Sequence, residues 1–161
     1  ITGSVPTILM AIALIAVMGT STMSLMLAMG LTHVPPFCRI TRASVLSVRN
    51  REYVESARAI GCTNAEIIFQ HIIPNCLSPI IVQTTLRMGS AIISASSLSY
   101  LGLGVPPPMP EWGSLLSAGR DFMIDHSYLT LFPGLAIMLT VIAFNMLGDG
   151  LRDAMDPKLK R

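Results

Sequence analysis

Charge is what this chain has least of. Lys, Arg, Asp and Glu make up 12% of its 161 residues, where a soluble domain carries about 25%. None of the four occurs between Ile1 and Cys38, so that stretch cannot supply a water-facing surface. Cysteine is scarce too. Cys38, Cys62 and Cys76 form no CxxC pair, which argues against a dithiol redox motif or a zinc site. The phosphate-cradling pattern Gly-x4-Gly-Lys-Ser/Thr is absent, so the chain cannot hold ATP through a P-loop of its own. His33, His71 and His126 are dispersed, and Asp149 and Asp153 lie on a polar tail. Nothing here assembles the paired acids or activated nucleophile that a membrane-embedded enzyme would need. A net charge of +2 gives no case for a nucleic-acid partner.

What remains is apolar. The hydrophobic share is 52% and the mean hydropathy +0.62. No basic segment precedes the first apolar run and a second follows at once, unlike a secretory signal. Because about 20 apolar residues cross a bilayer, the pattern predicts an all-α, polytopic transmembrane bundle. Its spans fall near residues 6–18, 23–36, 78–101 and 128–148. The chain has no initiator Met and Ile1 already lies at the edge of a span, which reads as a fragment lacking its natural N-terminus.

Basic residues set the orientation. Arg39, Arg42, Arg49, Arg51 and Arg58 cluster in the first polar loop, and Arg152, Lys158, Lys160 and Arg161 close the chain. The segment between the last two spans holds Arg120 against Glu111, Asp121 and Asp125. Lys and Arg are retained inside, so the arginine loop and the C-terminus are expected to be cytoplasmic and the proline-rich loop around Trp112 external. The three cysteines then fall beside the cytoplasmic loop and are expected to be reduced.

Punctuation within the chain predicts further breaks. Pro35-Pro36 should break or kink the second span. A short helix from about Glu52 should end at Gly61, which takes the left-handed conformation without steric penalty. Thr63-Asn64-Ala65-Glu66 reads as a capping box opening the next helix. Ile67, Ile68, Phe69, Ile72 and Ile73 should pack that helix onto the bundle, Pro74 should stop it, and Ser78-Pro79 should start the third span. On that span Arg87 lies toward the bilayer midplane, with Ser90, Ser94 and Ser97 on the same helical face. An intramembrane arginine points to a partner, cavity or pathway; close packing through small residues is the other reading. A short amphipathic segment is expected from Ser114 to Phe122.

Between Glu55 and Pro74 the sequence is ESARAIGCTNAEIIFQHIIP. An acid, small residues, a glycine six positions on and a proline thirteen beyond that resemble the cytoplasmic coupling loop of ABC-importer permeases. Glu55, Ala57, Gly61 and Pro74 are in register, while Ser56, His71 and Ile73 stand in for the commoner alanine, isoleucine and leucine. Together with His71-Ile72-Ile73-Pro74-Asn75, Leu98-Ser99-Tyr100-Leu101-Gly102-Leu103-Gly104 and Phe132-Pro133-Gly134 through Gly148-Asp149-Gly150-Leu151-Arg152-Asp153, the chain is similar to C-type permease subunits of the dipeptide, oligopeptide and nickel ABC-importer family. Ala95 stands where many members carry an acid.

The resemblance implies the type I ABC importer permease fold and a bacterial or archaeal inner-membrane location. It implies a coupling motif of Glu55, Ser56, Ala57, Gly61, His71 and Pro74, with 52–74 as the coupling loop; the translocation pathway on Arg87, Ser90, Ser94 and Ser97 rests on the polar stripe alone. The implied partners are a second permease subunit, two cytoplasmic ATPases that bind the ATP, and an extracytoplasmic solute-binding protein. No cofactor is implied for this chain. Peptide is the expected solute, with nickel or another small solute of the family as the alternative. A channel or structural membrane subunit is a further alternative, but neither would need the coupling loop.

Overall fold

A computed structural model describes residues 5–155, and every regular element among them is helical. In chain order these are α1 (Thr7–Met18), α2 (Thr22–Arg49), α3 (Glu52–Ala59), α4 (Asn64–Glu66), a π-helical turn (Ile67–Ile72), α5 (Ile73–Tyr100), α6 (Trp112–Gly119) and α7 (Tyr128–Met155). A 3-10 turn (Arg120–Phe122) follows α6. Lys158, Lys160 and Arg161, on which part of the orientation argument rests, lie outside the described residues.

Two buried clusters sit toward opposite ends of the long central helix. Ala11, Ile15, Leu25, Ala28 and Leu98 join α1 and α2 to the far end of α5. Val54, Ala57, Ile67, Ile72 and Cys76 join α3 and the π turn to its beginning. Cys76 and Leu98 are about 33 Å apart along the helix at about 1.5 Å per residue, close to the ~30 Å of a hydrocarbon core. Between the clusters, small residues bring α7 against α5. A Cβ on Gly89 would stand 3.2 Å from Asn145 Oδ1, and one on Gly148 would stand 2.9 Å from Leu86 Cδ2. Such contacts let helix backbones approach where lipid offers no hydrophobic driving force.

Asn64–Tyr100 and Tyr128–Met155 are long and apolar enough to cross a membrane, and only 22% and 11% of their apolar windows are buried within the chain. The core helix of a soluble protein would be mostly buried. Val17, Met26, Phe132, Leu139 and Met146 are all exposed. The α1 helix has 12 residues, which rise about 18 Å, and α2 passes through Arg39, Arg42 and Arg49.

Several expected breaks do not occur. The α2 helix runs through Pro35 and Pro36 to Arg49. Just before them, Thr32 Oγ1 donates to the Met29 carbonyl at 2.9 Å and His33 Nδ1 bonds the same oxygen at 2.7 Å. A proline pair already held at helical φ removes two ladder bonds without forcing a turn. Pro74 does not stop a helix, and Ser78-Pro79 does not start one: Asn64 to Tyr100 is one 37-residue rod. The π turn explains why. Ile73 N–H donates to the Ile68 carbonyl, five residues back, and the widened turn makes room for the Pro74 ring at the first positions of α5.

The breaks after α1, α3 and α5 are built on glycine. Gly102 has φ +79° and follows α5; its N–H donates to Ser99 at 2.9 Å while Leu103 N–H donates to Leu98 at 2.9 Å. That pair of bonds is a Schellman stop, sealed by packing of Leu103 against the Leu98 cluster. The Leu98-to-Gly104 motif is thus a helix terminator. It is followed by a tight return in which Gly104 lies against Ser99, leaving no room for a Cβ.

Candidate coupling loop and solute pathway

The α3 helix begins at Arg51 in extended conformation and ends with Ile60 as its cap. Gly61 follows with φ +90°. Its N–H donates to Arg58 at 3.1 Å, and Cys62 N–H donates to Ala57 at 3.1 Å, a second Schellman stop. The chain then re-enters helix through the predicted capping box: Glu66 N–H donates to Thr63 Oγ1 at 3.3 Å, and Thr63 N–H donates to Glu66 Oε2 at 2.7 Å. The backbone bond from Thr63, then the bond from its hydroxyl, holds the Glu66 carboxyl below its usual range. Helix stop, left-handed glycine and capped start thus follow one another within Ala59 to Glu66, fixing a sharp bend.

The two faces of α3 differ. Val54 is fully buried and Ala57 is 4% exposed, both against Ile67, Ile72 and Cys76. The smallness of Ala57 lets α3 lie close to the π turn and the base of α5. Glu55, Ser56, Arg58 and Ala59 are exposed, and Ser56 Oγ donates to the Glu52 carbonyl at 2.8 Å. The expected packing of the second helix is also divided. Ile67 and Ile72 are buried, whereas Ile68, Phe69 and Ile73 are exposed, at 45%, 69% and 38%. With Tyr53 at 40% and Ile60 at 82%, they leave apolar side chains uncovered around the bend. Five of the seven residues from Ile67 to Ile73 are apolar, which concealed this division, and a π turn shifts which of them face inward.

His71 is half-buried and Pro74 exposed. The His71 carbonyl accepts from Asn75 Nδ2 at 2.7 Å, so the residue after the proline stitches the widened turn. The structure brings Ala57 and the flanks of His71 and Pro74 into one packed unit, and leaves Glu55, Ser56 and Gly61 on its surface.

Along α5, Arg87, Ser94 and Ser97 are half-buried and Ser90 is exposed. The serine hydroxyls donate to carbonyls of their own helix: Ser90 to Arg87 at 2.9 Å, Ser94 to Ser90 at 3.0 Å and Ser97 to Ile93 at 2.7 Å. Beyond Gly104, Glu111 caps α6 through Ser114 N–H at 2.9 Å, and Ser117 Oγ donates to the Tyr100 carbonyl at 2.9 Å. The expected segment from Ser114 is in place two residues earlier, because the acid at 111 rather than the serine is the cap.

Comparison with known proteins follows the same residues. The family model described as "Binding-protein-dependent transport system inner membrane component" matches residues 1–161. The chain is 51% identical over 155 residues to the dipeptide transport system permease protein DppC of Alkalihalophilus pseudofirmus, covering 96% of this chain and 51% of that one. It is 48% identical to the glutathione transport system permease protein GsiD of Salmonella typhimurium, again over 96% of this chain and 51% of the relative. The same protein of Pectobacterium atrosepticum is also 48% identical, with 52% of its length covered. The chain thus spans about half the length of the curated relatives it matches. With the family model matching throughout and the bend, its caps and the long apolar helices in place, this chain belongs to the binding-protein-dependent transport system inner membrane component family.

Proposed function

We propose that this chain is the core of a transmembrane permease subunit of an ABC importer. It carries part of the pathway for a small peptide-like solute and couples it to cytoplasmic ATPases. The observation that supports this most directly is the bend at Gly61. A stiff short helix, stopped and restarted by two consecutive caps, presents Glu55 and Ser56 outward while its inner face is locked to the base of α5. A force applied to α3 would pass through Val54, Ala57, Ile67 and Cys76 into the longest helix of the chain. Such an element needs rigidity and shape, not catalytic groups, so the role is transport rather than an enzymatic reaction.

In this reading the partners are a second permease subunit, two ATPases and an extracytoplasmic solute-binding protein. The exposed Tyr53, Ile60 and Phe69 add apolar contact area to the coupling motif. On the same reading the spans lie near 6–18, 23–36, 78–101 and 128–148, with residues 52–74 and the C-terminus in the cytoplasm and Trp112 outside, as the distribution of basic residues supports. Dipeptide and glutathione permeases among the relatives support a peptide solute over nickel.

The test is a cysteine at position 56 in a full-length chain whose own cysteines are replaced, co-expressed with its ATPases. Disulfide or short-linker capture of the ATPase from position 56, but not from position 112, is the expected result. Capture at neither position would remove the coupling assignment.

A further inference from the structure

The polar stripe of α5 is longer than the four residues legible at first. Gln83 continues it, since positions 83, 87, 90, 94 and 97 alternate steps of four and three along one helical face. Where the stripe reaches Gln83, it opens on a cleft of about 520 Å³ between α2, α5 and α7. Ser44, Ser78, Gln83, Leu86 and Arg152 are among its lining residues, and no Asp or Glu is. Arg87 adjoins Leu86 and stands one turn along from Gln83.

Arg87 is half-buried, and the salt bridge among the described residues is elsewhere, between Arg120 and Asp121. The hydroxyl protons of Ser90, Ser94 and Ser97 go to carbonyls of their own helix, and their neutral oxygens offer the guanidinium no counter-charge. A guanidinium held at membrane depth without a counter-ion is costly unless something anionic visits it. The cleft therefore offers the Arg152 guanidinium and the Gln83 amide on its walls, with the Arg87 guanidinium one turn further along the same face of α5, and no Asp or Glu among its lining residues.

Resting on the importer reading above, we propose that Arg87 and Gln83, with Arg152 on the α7 wall, recognise the free carboxylate of the passing solute. The planar fork of Arg fits a carboxylate through two parallel bonds, which a Lys point charge reproduces only in part. Donors placed for an anion are left unpaired by a neutral analogue, and that difference selects against the analogue.

The experiment uses the full-length permease pair with its ATPases in proteoliposomes. A dipeptide and its C-terminal amide are each supplied at equal concentrations of ligand-loaded binding protein, which removes selection before delivery. The wild type should move the free acid about tenfold faster than the amide, the scale of one charge-assisted bond. In Arg87→Gln that ratio should fall toward one, chiefly through loss of acid transport, with membrane abundance within about twofold of wild type. Arg87→Lys should keep part of the preference, and Gln83→Leu should lower it by a smaller factor.

An unchanged ratio in Arg87→Gln, or equal loss of both solutes, would overturn the proposal. So would a defect that appears only in liposomes rich in anionic phospholipid and affects both solutes alike, since Arg87 would then hold a lipid headgroup. A wild-type assembly that moves neither solute and gives no binding-protein-stimulated ATP hydrolysis would instead sink the importer reading beneath it.

Discussion

Cys62 N–H donates to the carbonyl of Ala57 at 3.1 Å across the left-handed Gly61. That bond closes α3, and it ties the outward bend to the one motif residue that is buried. The consequences of disturbing it can be separated by residue.

Gly61→Val should leave the chain in the membrane but abolish substrate-stimulated ATP hydrolysis in the reconstituted complex. A Cβ at Gly61 would meet nothing within 4 Å, so the harm comes from backbone strain rather than collision. A β-branched residue at φ +90° loses on the order of 1–3 kcal/mol, enough to unwind a bend of a few residues. Gly61→Asn should be milder, because Asn visits the left-handed region more readily. Normal coupling by the Val variant would show that the bend does not transmit force.

Ser56→Ala and Ala57→Leu differ sharply although the positions are adjacent. Ser56 is exposed and its hydroxyl serves only its own helix, so the alanine variant should unfold within about 0.5 kcal/mol of wild type and transport normally. Ala57 is 4% exposed, and a leucine there must displace the π turn at a cost of about 1–3 kcal/mol. Thermal unfolding of the purified assembly, read beside ATPase binding, checks both.

The capping box should open in acid. The Glu66 carboxyl titrates below its ordinary value because the Thr63 amide, and then its hydroxyl, bond the ionised form. A depressed carboxyl contributes stability that is complete above its unfolded pKa and is lost as pH falls through the folded one. Amide exchange at Thr63 to Ile67, taken relative to a Glu66→Gln variant, should rise only in that acidic window. A ratio flat through it would mean that the box contributes nothing.

Glycine substitutions should rank by what they strike. In Gly113→Ala the new methyl would meet the Ser96 backbone, with Ser96 Cα at 2.7 Å, whereas in Gly148→Ala the nearest atom is the mobile Leu86 Cδ2 at 2.9 Å. Backbone cannot rotate away, so Gly113→Ala should lower the unfolding temperature of the assembly clearly more than Gly148→Ala. The reverse order would contradict the packing of α6 on α5.

Orientation has its own check. With Cys38 and Cys76 replaced, Cys62 should resist a membrane-impermeant thiol reagent in intact cells and react after permeabilisation. A cysteine introduced at Trp112 should react from outside. Labelling of Cys62 in intact cells would reverse the topology.

Much of this molecule follows from local rules. The charge-free opening and the apolar windows specify a helical membrane protein, because in lipid each backbone donor must be satisfied within its own segment. Gly61 and the Thr63–Glu66 box were legible because caps depend on a few consecutive residues and on the φ they permit. The prolines misled for a related reason. A local rule reads Pro74 as a stop, but whether a helix ends or widens depends on the register of the carbonyls before it, here shifted by the π turn.

What sequence determined alone is therefore the membrane class, the family motif and the bend at Gly61 with its capping box, each encoded within a turn or two of chain. Tertiary structure decided the rest. It buried Ala57 and Val54 while leaving Glu55 and Ser56 outside, split the Ile67–Ile73 run into inner and outer faces, and set α7 against Gly89. It also brought Arg152 and Gln83, distant in the chain, to one cleft. The reason is that periodicity gives the angle of each side chain about its own helix axis, but not which neighbour occupies that direction; only packing of separate helices settles that.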